Sequence, residues 1–506
     1  MSDRRGSARE AIASLTDDFT ELPTPRREYA PDGPLAWHGY DAARARAAER
    51  TGEEESVVWG RATIGASPAG PIRAVLISFE FGFLGGSLGE RTGDRLEAAH
   101  AYARAHRLPV VSLVATGGSR MQEGMRALTQ LQRVARESAL TREAGLPQIA
   151  VLRDPTTGGG WATLGAGADI TLALPTAQIG FAGSRVRPPD ADPTAYTAES
   201  QLAAGSIDAV VPPPSLRTTL LLYLTLLTTP STTPAPPPHA LPPRVLERPP
   251  AFRAEKAGGA APAFSGARGT ARPAPTGPAP ATQPPPSAQK APLPTHGWEA
   301  VQRARSPHRP RAEAYLDAYF TRRAPLQGDR CGGTDPGMLC GFGDHEGRTV
   351  AYAAQCGTPT RPAGYRTATR LIHLADRLGI PVLTLIDTPG AANDAEAERQ
   401  GAGPAIAALF TAVATARTPV TTLLIGEGGS GGALALAAPD HTWATPDSYF
   451  SVIAPELAAA ILKRPENEVR ATADELRVRP QDLVELGVVR GIVEPAVSPS
   501  SASDTR

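Results

Sequence analysis

The sequence predicts an α/β protein made of two similar domains joined by a linker, on three observations. From about Thr228 to Thr295 the composition turns to Pro, Ala, Thr and Ser with almost no large apolar residues. On each side of that stretch, short β-branched runs lead into glycine turns and then into helical segments. The prolines opening those runs lie 38 residues apart in both halves (147 − 109 and 419 − 381), which points to duplication of a βαβ-type module.

The 506 residues carry 51 Lys+Arg against 51 Asp+Glu. The zero net charge gives no electrostatic footprint for nucleic acid or an anionic membrane. Residues 1–54 form an N-terminal extension, and its opening Met1 to Thr16 is polar, without the apolar core of a secretory signal. The most apolar run, Leu220 to Leu227, is far shorter than the roughly 20 residues a spanning helix needs. Cys331, Cys340 and Cys356 make no C-x-x-C pair, so no zinc ribbon is expected and a reducing, cytoplasmic setting fits. The only lysines are Lys256, Lys290 and Lys463, an arginine bias of the kind that GC-rich coding produces.

In the first domain, 55–228, Val110–Ala115 runs into Gly117-Gly118, and Ile149–Leu152 leads to Thr157-Gly158-Gly159-Gly160. Both read as buried strands entering glycine turns. Arg91–His106 and Arg126–Glu143 have the three- and four-residue apolar spacing of covering helices. Residues 229–297 cannot bury enough surface to offset their ordering entropy and are assigned to a disordered linker. In the second domain, 298–497, Val382–Ile386 runs into Thr388-Pro389-Gly390, and Thr421–Ile425 leads to Gly428-Gly429-Ser430-Gly431-Gly432. Tyr365–Leu378 and Pro404–Ala416 supply the helices, and 498–506 is a tail.

Three chemistries compete for these turns. The Gly428–Gly432 run fits a nucleophile elbow, but the only later histidine, His441, stands directly behind Asp440, a poor source of both triad partners. Asp387-Thr388-Pro389-Gly390 resembles a GTPase switch, yet no lysine follows a glycine as a P-loop requires. What remains is a glycine pair at each strand-to-helix turn, where backbone N–H groups and the helix dipole favour a negative oxygen. Two equivalent pairs suit a reaction with two oxyanions.

The first domain resembles the β subunit of the acetyl-CoA carboxylase carboxyltransferase in Phe83–Glu90, Gly117–Gly124, Pro155–Gly159 and Ile179–Gly183. The second resembles the α subunit in Gly328–Arg330, Arg361–Arg366, Ile386–Ala391, Ile425–Ala435 and Tyr449–Glu456. Gln481-Asp482-Leu483 and Leu486–Val489 close that match. The resemblance implies two crotonase-like (ClpP/crotonase) domains of repeated ββα units. The first would hold the acyl-CoA and the second a carboxybiotin supplied in trans on a carrier protein. It further implies a homodimer or higher oligomer whose site forms between the first domain of one protomer and the second of its mate.

In the reaction so implied, carboxybiotin releases carbon dioxide, its ureido nitrogen takes the acyl α-proton, and the enolate attacks the carbon dioxide. Gly158 and Gly159 would hold the enolate oxygen, and Gly431 and Gly432 the biotin urea oxygen. Gly117, Gly118, Arg120, Gly183 and Arg185 are assigned to acyl-CoA, with the two arginines steering its phosphates. Gly390, Ala391, Ser451 and Pro455 are assigned to carboxybiotin. No metal is expected. The partners implied are a biotin carboxyl carrier protein and a biotin carboxylase, because the chain has no Met-Lys pair of the biotin-attachment kind. The β subunit's zinc ribbon, a longer segment after Val186 and a basic insertion before Arg361 are missing. A biotin-independent malonyl-thioester decarboxylase and a degenerate scaffold subunit remain the alternatives.

Overall fold

A computed structural model describes residues 6–24, 27–67, 70–184, 187–188, 190–242 and 292–496. Arg185, the tail 498–506 and linker residues 243–291 therefore lie outside the described residues.

The duplication is visible strand by strand. In the first sheet, Asp18–Glu21, Val57–Ser67 and Gly70–Phe79 pair antiparallel, and Val110–Thr116, Gln148–Thr157, Ile170–Ala173 and Ala209–Val210 add on in parallel. In the second, Arg322–Pro325, Met338–His345 and Arg348–Gln355 are antiparallel, and Val382–Thr388, Val420–Gly429, Thr442–Ala444 and Gly491–Ile492 continue in parallel. An eighth, short strand in each sheet, Ile179–Gly180 and Tyr449–Ser451, pairs off the path with the end of Gln148–Thr157 and Val420–Gly429 respectively. The parallel strands are buried almost throughout, which is why they read as unbroken apolar runs.

The covering helices run Glu90–His106, Met125–Glu143, Pro362–Leu378 and Ala402–Thr415, each within three residues of its expected bounds. Arg107 and Gly379, both in left-handed backbone, end the first and third.

Two expectations change. Residues 1–54 are no mere extension: Asp18–Glu21 is the edge strand of the first sheet, and Ile12 and Leu15 of helix Ala8–Leu15 are buried in the main core. The segment 229–242 is packed on the second unit. Ser231 donates its N–H to Gly379 O, Ala240 to Glu494 O, and Tyr319 its hydroxyl to Pro236 O at 2.9 Å.

The units also share one apolar core, to which helix Pro213–Leu227 of the first and Pro362–Leu378 of the second contribute. At its edge Asp208, fully buried, takes Arg330 at 2.6 Å and Arg370 at 3.1 Å from the second unit. Beside it, Gly205 and Gly328 touch backbone to backbone, since a Cβ on Gly328 would lie 2.2 Å from Gly205 O.

Candidate active site

The same bulge opens each sheet above its two central parallel strands. Register moves from Val114↔Leu152 to Thr116↔Thr156, and from Ile386↔Leu424 to Thr388↔Gly428, so the second strand carries two extra residues each time. A single offset of 272 relates all these positions (386 − 114, 424 − 152, 428 − 156) as well as the strand-opening prolines (381 − 109). The offset aligns Gly118 with Gly390, Ser119 with Ala391, Gly158 with Ser430, and Gly159 with Gly431. The backbone agrees, with φ +108° and +139° at Gly118 and Gly390, and +64° and +57° at Gly158 and Ser430.

Each turn directs one N–H inward. Leu88 donates to Gly118 O at 2.9 Å and accepts from Arg120 N at 2.8 Å, in a short parallel bridge centred on Ser119. Successive amides alternate along extended chain, so the Ser119 N–H faces away from Leu88. Thr360 holds Gly390 O and Ala392 N in the same way, which turns out the Ala391 N–H.

A helix start supplies the second donor. The chain enters helix at Gly158–Gly160 and at Ser430–Leu434, and neither N-terminus has a side-chain cap. First-turn N–H groups have no partner within the helix and sit at its positive end. Gly432 seats its helix against the turn, because a Cβ there would lie 2.5 Å from Ala391 N and 2.6 Å from the Tyr365 hydroxyl. Gly431 faces open space, where an added Cβ would have nothing within 4 Å, whereas a Cβ on Gly159 would meet Leu131 at 2.4 Å.

These positions revise the expected donors. Gly158 donates its N–H to Phe181 O at 3.1 Å, so that amide is engaged within the protein, and Ser119 and Gly159 are the neighbouring positions of this turn. At the second turn Gly431 and Gly432 both lie in the first turn of the uncapped helix, with Gly432 packed closely against Ala391. Ser119 was legible from the 272 offset, which maps it onto Ala391.

Arg120 is a clearer correction. Its side chain is fully buried, and its guanidinium bonds Glu55, Tyr40 hydroxyl at 3.1 Å, Ser87 O at 2.7 Å and Ser87 Oγ at 3.1 Å. It has no face left for a CoA phosphate. Burial alone would raise the Glu55 carboxyl, but the adjacent Arg120 charge overrides it and holds that group at about 2. Glu123 of the same motif takes Tyr40 hydroxyl at 2.5 Å and Glu90 N at 2.6 Å, which ties the turn to the start of helix Glu90–His106.

Gly117 donates to Gly85 O, and Gly183 passes over the strand end with Thr157 Oγ1 3.5 Å from a Cβ position. Ser451 pairs with Gly429 and donates its hydroxyl to Ile453 O at 2.6 Å, and buried Pro455 opens helix Pro455–Ile461. Phe181 and Val452, each just past the short off-path strand, are both 74% exposed.

The rival chemistries do not survive this geometry. Ser430 has the strained backbone of a nucleophile elbow, but His441 O accepts from Thr422 N at the opening of the strand that Ser430 follows. With the two bulged residues discounted, the remaining six at ~3.3 Å per residue separate them by about 20 Å. Asp387 is held in a buried pair with Arg309 at 2.9 Å and does not face a nucleotide site. Among the described residues, no cluster of His, Cys, Asp and Glu has the makings of a metal site, and no helix is long and apolar enough to cross a membrane.

Comparison with known proteins places this architecture. A family profile described as "Acetyl co-enzyme A carboxylase carboxyltransferase-like" matches residues 293–504, and one described as "Carboxyl transferase domain" matches 41–210. The "Acetyl-coenzyme A carboxylase carboxyl transferase subunits beta/alpha" of Salinispora arenicola is 37% identical over 97% of this chain and 83% of its own length. The chain belongs to the acetyl-CoA carboxylase carboxyltransferase family.

The protein of the same description from Natranaerobius thermophilus is 30% identical over 97% of the chain and 78% of its own length. Among solved structures, the transcarboxylase 12S hexameric core superposes with a TM-score of 0.70 over 99% of this chain and 92% of that one, at 19% identity. A single-chain long-chain acyl-CoA carboxylase gives 0.69 over 97% of this chain and 45% of that one, also at 19%. These structures share the crotonase-like fold.

Proposed function

We propose that the chain is the carboxyltransferase component of an acetyl-CoA carboxylase, moving a carboxyl group from carboxybiotin to acetyl-CoA to give malonyl-CoA. The observation that carries this reading is the repetition of one backbone donor pair at a constant offset, Ser119 with Gly159 and Ala391 with Gly431. The first pair receives the thioester oxygen as enolate character develops. The second receives the urea oxygen as biotin loses its carboxyl group.

In the chemistry so read, the N–C bond of carboxybiotin breaks to release carbon dioxide and its electron pair passes to the ureido group. The ureido nitrogen takes the α-proton of the acyl thioester. The enolate carbon then forms the new C–C bond to carbon dioxide. The protein supplies orientation and dipoles fixed before charge develops, which is where such donors act most strongly.

Biotin arrives on a separate carrier protein charged by a biotin carboxylase, because this chain lacks a Met-Lys attachment pair. The chain works as a dimer or larger assembly. Exposed Met121, Met125 and Phe181 in the first unit, and Leu434, Val452, Leu457 and Ile461 in the second, offer apolar surface for a second copy. Three unpaired cysteines fit the reducing cytoplasm.

The test is malonyl-CoA formation from acetyl-CoA by the full chain, with carrier carboxylated by biotin carboxylase, bicarbonate and ATP. Carboxylation of a longer acyl-CoA instead would change the substrate. No carboxylation of any short-chain acyl-CoA would defeat the reading.

A further inference from the structure

Each donor turn rests on a buried arginine–carboxylate pair, and the two pairs are of opposite polarity. In the first unit the arginine belongs to the turn. Arg120 directly follows Ser119 and reaches Glu55, which precedes strand Val57–Ser67. It also bonds the Tyr40 hydroxyl, and Ser87 O and Oγ next to the Leu88 that sets the Ser119 bridge. In the second unit the carboxylate belongs to the turn. Asp387 precedes Thr388-Pro389-Gly390-Ala391 and is reached by buried Arg309, and at Oδ2 also by part-exposed Arg311, from the segment ahead of helix Ala312–Tyr319.

The second pair also spans the bulge. Arg309 donates to Ile425 O at 2.9 Å, and Asp387 accepts from Glu427 N at 3.2 Å, both on the strand that ends in the Ser430–Leu434 helix. Gly426 admits the pair, since a Cβ there would lie 2.3 Å from Asp387 Oδ1 and 2.5 Å from Arg309 Cζ. The pairs do not occupy equivalent positions, because the offset of 272 takes Asp387 to Ala115 and Arg120 to Ala392. The two units therefore fix the same backbone geometry by separately built devices.

We propose that Arg120–Glu55 and Arg309–Asp387 are positioning pairs that hold the Ser119 and Ala391 N–H groups in line for the two developing oxyanions. The proposal rests on the carboxyltransfer reading. It explains why the arginine of the Gly117–Gly124 motif is buried rather than offered to substrate. A planar fork is needed at Arg120 because oxygens of three residues lying in different directions, Glu55, Ser87 and Tyr40, share one guanidinium. Lysine keeps the charge and cannot make that set of bonds.

The experiment uses the full chain in reverse transfer from malonyl-CoA to free biotin, comparing wild type with Arg120→Lys, Glu55→Gln and Asp387→Asn, alongside thermal unfolding. Misaligning one donor lowers kcat at least tenfold for the folded variants and leaves the KM for malonyl-CoA and for biotin within about threefold, because the hole acts on the transition state. A purely structural role predicts wild-type kcat per folded molecule and a lowered unfolding temperature, and that result overturns the proposal. If Arg120→Lys fails to fold, Ser87→Ala, which removes the acceptor of Arg120 Nε together with one bond to Leu84 O and keeps the arginine, makes the same comparison. An inactive wild type would instead count against the carboxyltransfer reading itself.

Discussion

Gly431→Ala separates chemistry from folding. Outside its own helix backbone the added methyl meets nothing within 4 Å, and Gly431 lies in helix Ser430–Leu434 outside the left-handed region. Alanine also favours helix over glycine by ~1 kcal/mol, so the unfolding temperature stays level or rises. The methyl sits beside the N–H on its open side and keeps an incoming urea oxygen out of hydrogen-bond reach. Loss of one such donor lowers kcat by ~10²–10³-fold, or roughly 3–4 kcal/mol. Gly432→Ala is the control, because its methyl would press on Ala391 N at 2.5 Å and the Tyr365 hydroxyl at 2.6 Å. It costs about 1–3 kcal/mol of stability as well as activity. Steady-state reverse transfer with thermal unfolding reads both variants. A Gly431→Ala protein with wild-type kcat would refute the assignment of that amide.

Other expectations follow from the packing. Burial, helped by the Arg104 charge, holds the His100 imidazole at about 4 against 6.5 when free. Its contribution to stability is present above pH 6.5 and is lost as pH falls towards 4, up to about 3 kcal/mol. Urea unfolding at pH 7 and pH 5 should show this acid limb, and His100→Gln should flatten it. Asp208→Ala leaves Arg330 and Arg370 without their buried carboxylate and costs about 3–5 kcal/mol. Because the core is shared, denaturant should still unfold both units in one transition, and two separate transitions would contradict that shared core. Ile12→Ala should cost about 2–5 kcal/mol by emptying a core position, whereas a dispensable N-terminal extension would tolerate it.

The fold was legible where local rules dominate. Pro109, Pro147, Pro381 and Pro419 marked the strands, and apolar spacing placed the helices to within a turn. The polar residues before Val57 gave no period to read, yet Asp18–Glu21 completes a sheet whose counterpart is Arg322–Pro325. Linker composition was equally uninformative at 229–242, where small residues such as Ala235 and Ala240 fit a crevice that only the folded second unit creates.

The site was legible as a pair of turns but not as individual amides. Whether an N–H points into a hole depends on which neighbour holds the adjacent peptide, and Phe181, 23 residues away, decides this for Gly158. The burial of Arg120 depends on Glu55, 65 residues upstream. Exposed arginines and buried paired ones look alike in sequence, and only the partner tells them apart.

The most direct test of the account is reverse transfer by the purified full chain, following acetyl-CoA formation from malonyl-CoA with and without biotin. The account predicts acetyl-CoA formation that depends on biotin and saturates with it. Equal formation without biotin would make the protein a malonyl-thioester decarboxylase and contradict a second donor pair acting on the biotin urea.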